Sequence, residues 1–99
     1  MAYEIDFSPN AEEHLESISA KARGIIIKAI ERQLPHDPLV ETRNRKRLRN
    51  NPVAPWELRV GNWRVFYDVT EGQESLVRIV AIGEKVRNEL WIAGKRIEL

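Results

Sequence analysis

From Trp56 to Val69 the chain runs as two alternating segments separated only by Gly61-Asn62. Two residues that include a glycine can reverse a chain only as a tight turn, so the stretch predicts a β-hairpin. Alternation then assigns faces. Trp56, Leu58 and Val60 point to one side of the first strand, and Glu57 and Arg59 to the other. On the return strand Arg64 shares a face with Phe66 and Asp68, while Tyr67 points the opposite way, toward a core. Trp56 and Trp63 flank the turn and are expected to pack across it. Alternation does not say which of the two faces the rest of the chain covers.

The remaining elements gather around this hairpin. Tyr3 to Phe7 alternates like a half-buried strand. Ser8-Pro9 is an N-cap followed by a proline at the first helical position, so a helix should run from there to about Ser19. A second helix is expected from about Lys21 to Leu34, with Ile26, Ile27, Ile30 and Leu34 facing the core and Pro35 and Pro38 stopping it. Residues 35–55 read as a long connection anchored by Leu48. Leu76 to Ile82 is the most apolar strand, expected at the centre and ended by Gly83. A short helix from about Val86 to Ile92 and a terminal segment close the chain. The expected fold is therefore α+β: an N-terminal strand, a helical hairpin, a mostly antiparallel sheet of about four strands and a short C-terminal helix. Residues 1–99 make one domain, near the common size for a single core.

Charge is unevenly placed. The net charge is only +1, yet residues 1–20 hold five acids and no Lys or Arg. Arg43, Arg45, Lys46, Arg47 and Arg49 then place five cations in seven positions with no acid between them. With Arg59 and Arg64 on the hairpin, this distribution is a footprint for a polyanion, with RNA the leading candidate. A solvated basic loop balanced by an acidic helix is the plainer alternative. There is no cysteine, hence no disulfide framework or thiolate metal site. His14 and His36 have no metal-ligand spacing, and neither a metal nor another cofactor is expected. No apolar run reaches the ~20 residues of a transmembrane helix, and the N-terminus has no secretory pattern. A cytoplasmic protein without a membrane partner is expected.

The segment Lys46-Arg47-Leu48-Arg49-Asn50-Asn51-Pro52, the hairpin from Trp56 to Val69 and the closing Ala81-Ile82-Gly83-Glu84-Lys85 together resemble the RelE/ParE toxin superfamily. The likeness runs over essentially the whole chain. It implies a toxin of a type II toxin–antitoxin pair, with a cognate antitoxin as partner. RelE-type members cut messenger RNA on the ribosome without a metal, by 2′-hydroxyl attack on the adjacent phosphate. ParE-type members share the fold and poison DNA gyrase. The resemblance places Arg64 on the scissile phosphate, with Lys85 and Arg59 as supporting cations and Arg87 nearby. Two departures stand out. A lysine pair of the RelE pattern is replaced by Pro55 and Glu57, and its C-terminal tyrosine by Trp91. Glu57 is then the candidate general base, and Trp91 a candidate for stacking on a base. The block from Arg43 to Arg49 would extend the grip along RNA or receive an antitoxin. A ribosome-dependent endoribonuclease is the leading expectation; a gyrase inhibitor, or a degenerate toxin that only binds its antitoxin, are the alternatives.

Overall fold

The computed structural model describes residues 2–72 and 74–99. In chain order the elements are β1 (Glu4–Phe7), α1 (Pro9–Glu16), α2 (Ala20–Gln33), β2 (Arg45–Arg47), β3 (Trp56–Val60), β4 (Trp63–Thr70), β5 (Leu76–Val86), β6 (Glu89–Ile92) and β7 (Lys95–Ile97). They form one seven-stranded sheet in the order β2-β3-β4-β5-β6-β7, with β1 added parallel to the first half of β5. All other pairs are antiparallel.

Local signals place the helices. The Ser8 hydroxyl accepts from the Ala11 amide at 3.1 Å and donates to the Val80 carbonyl at 2.9 Å. It thus caps α1 and ties it to β5. Ser19 caps α2 in the same way, so it opens the second helix, and the first ends earlier than the sequence suggests. Ile26, Ile30 and Leu34 are fully buried at helical spacing, and they pack with Ala11 and Leu15 on Leu58, Val65, Tyr67, Val77, Ile79 and Ile82. The helical hairpin therefore covers the face that carries Leu58 and Tyr67. The Tyr67 hydroxyl donates to the Pro38 carbonyl at 2.8 Å, and burial holds its pKa well above the usual phenol range. Trp56 stacks on Tyr67, its direct partner, with ring centroids 6.0 Å apart. Trp63 pairs with Val60, so the two tryptophans are not packing partners.

Two expectations give way in the second half of the chain. The connection 35–55 contains β2, which pairs with β3 and forms one edge of the sheet. Leu48 is half-buried there, as an anchor should be. The C-terminal helix is absent: residues 84–97 form a three-strand meander instead. Its turns are Arg87-Asn88 and Ala93-Gly94, all four in the left-handed region with φ of 53°, 67°, 53° and 77°. Consecutive residues of that kind make the mirror-image turns that match strand twist. The apolar spacing of Val86, Leu90 and Trp91 suits a helix or a hairpin equally over so few residues.

Strand β5 does not stop at Gly83 but passes through it to Val86. A Cβ at Gly83 would sit 2.9 Å from the Trp91 carbonyl oxygen and 2.9 Å from Cγ1 of Ile92. The glycine lets β6 close over β5, and a small second core forms on the face away from the helices, from Ala54, Phe66, Ala81 and Leu90. Gly83→Ala is expected to lower stability by about 1–3 kcal/mol, the range for overpacking. Urea unfolding of the variant checks this, and a midpoint equal to that of the parent would contradict it.

Candidate functional site

The register of β4 and β5 decides which cations meet. Phe66 pairs with Ala81 but Tyr67 pairs with Ile79, so Val80 is an extra residue, a β-bulge in β5. An added residue reverses the alternation beyond it. Ile82 and Glu84 then lie on the helix side, and Ala81, Gly83 and Lys85 on the other. Arg64 pairs with Gly83 and Arg59 with Arg64, so Arg59, Arg64 and Lys85 share the face that the helices leave uncovered. Together with Arg87 and the amides of Asn62 and Asn88 they line an open groove of about 620 Å³. Glu84 borders it, with its side chain on the far face by register.

Two of the groove's cations, Arg59 and Arg64, are held by side-chain hydrogen bonds. Arg64 donates from one terminal nitrogen to the Gly61 and Trp63 carbonyls, both at 2.9 Å. Those bonds lay the guanidinium along the turn, where Gly61 has φ 59°, a value that glycine adopts without steric cost. Arg64 Nε is buried with no partner. Burial pushes the Arg64 pKa down, Glu57 opposes this and Arg59 adds to it, but arginine starts so high that the charge stays. The Lys85 amide donates to the Asn62 carbonyl at 2.7 Å, which ties the end of β5 to the hairpin turn. Arg87 sits at the rim in a left-handed conformation that costs a non-glycine residue about 1–2 kcal/mol.

Glu57 is brought to the cluster but not into the groove. It is 4% exposed and accepts from Arg59 Nε at 3.2 Å. Lys46 lies directly across from it on β2. Arg59 and Arg64 are cross-strand neighbours of like charge, an arrangement that is destabilising by itself. A buried carboxylate between them and Lys46 offsets that repulsion. Its geometry is that of a counter-ion, and the groove has no outward-facing carboxylate in the place expected for a general base.

The basic block divides. Lys46 faces the same side as Glu57, whereas Arg45 and Arg47 face the helix side, opposite Leu58 and Trp56. Arg45 donates to the Gln33 carbonyl at 2.7 Å and the His36 carbonyl at 3.1 Å, so it caps the C-terminus of α2. Arg47 lies over the Trp56 ring, 5.8 Å from its centroid. Arg43 and Arg49 are exposed on the flanking loops. The Asn51 side chain organises the second loop through four bonds, to the Arg49 and Ala54 carbonyls and from the Val53 and Ala54 amides. Of the expected RNA contacts, Arg87 lines the groove. Arg45 is committed to the fold, and Trp91 points away, since it pairs with Glu84 on the helix face. No group of three or more metal-ligating side chains occurs among the described residues. No helix there is long and apolar enough to cross a membrane.

Sequence reasoning passed over His14. On the outer edge of β5, β1 stops at Ile79 and β6 starts at Glu84. Backbone groups in that gap are met by Ser8 and by His14, whose Nδ1 accepts from the Ile82 amide at 3.1 Å. The only sequence signal was a histidine one residue before Leu15 on a core-facing helix.

A small α+β protein with arginines and a lysine set on one sheet face is the class that these elements define. The chain belongs to the ParE toxin family of type II toxin–antitoxin systems, whose sequence pattern matches residues 5–89. In structure it is similar to a chain of the RelBE2 toxin–antitoxin complex from Mycobacterium tuberculosis. The TM-score is 0.71 at 20% identity, over 85% of this chain and 99% of that one. No curated protein matches it.

Burial lowers the His14 pKa from its ordinary 6.5, and Glu13 opposes this. The folded state thus favours the neutral ring, the form that can accept at Nδ1. Its contribution to stability is complete above the unfolded value and is lost as pH falls below 6.5 through the folded value. Urea midpoints should drop between about pH 7.5 and about pH 5, above the range of ordinary carboxylates. The drop should shrink in His14→Gln, which keeps an acceptor without a titrating ring; an unchanged drop would contradict the assignment.

Proposed function

We propose that this toxin inhibits translation by cleaving messenger RNA on the ribosome, with the cationic groove as the seat of the scissile phosphate. The convergence of Arg59, Arg64, Lys85 and Arg87 on one groove carries the reading. Phosphate diester cleavage by an adjacent 2′-hydroxyl builds negative charge on the phosphoryl oxygens. Fixed cations there stabilise the transition state more than the ground state. Arg64 is the best placed, because two carbonyls hold one end of its guanidinium and leave the other terminal nitrogen to donate to phosphate. Lys85 brings a compact charge and a proton that can pass to the leaving 5′-oxygen. With Glu57 acting as counter-ion, the proton of the attacking hydroxyl passes to solvent or to an oxygen of the RNA. A cognate antitoxin as partner follows from the family, and the structural neighbour is itself a toxin–antitoxin complex.

A second reading is favoured by the burial of Glu57. A ParE-like toxin that inhibits DNA gyrase needs no proton transfer, and a groove of cations and amides is sufficient for binding alone. Primer extension on messenger RNA from translating ribosomes separates the two. Cuts confined to the A-site codon support cleavage; intact messenger with loss of gyrase supercoiling supports inhibition. Under the cleavage reading, Arg64→Ala should retain its circular dichroism spectrum and its antitoxin binding, and lose about 10²–10³ in cutting rate, as for removal of one charge-stabilising donor. Cutting at the parent rate would remove Arg64 from the site.

A further inference from the structure

On the helix face of the sheet, three side chains form a row in register: Trp63 on β4, Glu84 on β5 and Trp91 on β6. All three line a second groove of about 580 Å³, between α1 and the β6–β7 hairpin, whose other wall carries Glu13 and His14. The bulge at Val80 sets this row too, since the shift that sends Lys85 to one face sends Glu84 to the other. Trp91 is 37% exposed, the largest aromatic surface left open to solvent. Glu84 makes no salt bridge among the described residues. Its nearest cationic neighbour in the row, Arg96 opposite Trp91, is engaged by Glu89 at 2.8 Å and Glu98 at 3.8 Å. His14 adds no positive charge, because its Nδ1 accepts from the Ile82 amide. The groove is therefore a carboxylate flanked by two indoles, on the side of the molecule where residues 1–20 carry acids and no Lys or Arg.

We propose that this groove docks an arginine side chain presented by a segment of a partner protein. A guanidinium needs a carboxylate in its plane and an aromatic face against its own, and the row supplies both. Two strand spacings, about 10 Å, separate the tryptophan backbones, which leaves room for a flat cation between rings that need roughly 7 Å. Phosphate is repelled by Glu84 and Glu13, so the occupant is a basic polypeptide and not the nucleic acid of the opposite face. The site is independent of the cationic groove and of the reaction assigned to it.

The test uses the isotope-labelled full chain and a short peptide with one central arginine. Its control has citrulline in place of arginine, the same shape without charge. The readout is the indole N–H resonances. Those of Trp63 and Trp91 should move and saturate, while that of Trp56, 3% exposed, stays in place. The citrulline peptide should move neither. Glu84→Gln, a half-buried surface position, should leave the free spectrum intact and weaken binding about tenfold. Arg64→Ala should bind the peptide as the parent does, even if it has lost toxicity. Equal shifts with citrulline, or undiminished binding in Glu84→Gln, would overturn the proposal. So would indole shifts that follow protein concentration without peptide, since the occupant would then be a second copy of the chain.

Discussion

The extra residue at Val80 governs the arrangement of both faces of this protein. Before it, Val77 and Ile79 point into the helix-side core; after it, Ile82 does, and Glu84 follows on the same side. Unbroken alternation from Ile79 would send Lys85 toward the helices and Glu84 toward Arg64. The bulge instead completes a set of cations on one side and leaves a carboxylate between two tryptophans on the other. It lies where β1 ends and β6 has not begun, the stretch of β5 bordered on one edge by Ser8 and the first helix. Ser8 and His14 meet backbone groups there, so a short helix gains tertiary contacts that its length could not supply.

Charge is arranged by the same strands. Arg59 and Arg64 face each other across β3 and β4, and burying Glu57 among them and Lys46 makes that proximity tolerable. A carboxylate in this position strengthens the frame but weakens its own claim to proton transfer, because Arg59 engages one of its oxygens and its access to solvent is closed. Arg45 shows the converse. A cation in the most basic stretch of the chain ends up bonding the last carbonyl of α2, where helix-end charge favours it.

Membership of the ParE toxin family and a RelE-like fold define a toxin of the type II class. They do not by themselves choose a target, since one fold hosts different activities through the side chains it presents. Here the two faces present opposite chemistry. One carries a groove lined by cations, and the other a groove with a carboxylate between two tryptophans.

Elements with strong local rules can be read from the order of residues alone. Ser8-Pro9 announced α1, the spacing of Ile26, Ile30 and Leu34 announced the buried side of α2, and Gly61-Asn62 announced the hairpin and the opposed directions of Arg64 and Tyr67. These were legible because capping, periodicity and turn chemistry act over a few neighbouring residues. The family resemblance added Lys85 and Arg87 to the cationic site. Tertiary structure alone decided what depends on register between distant strands. It placed a strand inside the basic block, because Arg45 to Arg47 finds unpaired backbone on β3. It made the C-terminus a meander, because Gly83 lets β6 cross close over β5. It turned Trp91 away from the cations, because one unpaired residue at Val80 reverses every side chain that follows, and no local pattern in an apolar run marks which residue that will be.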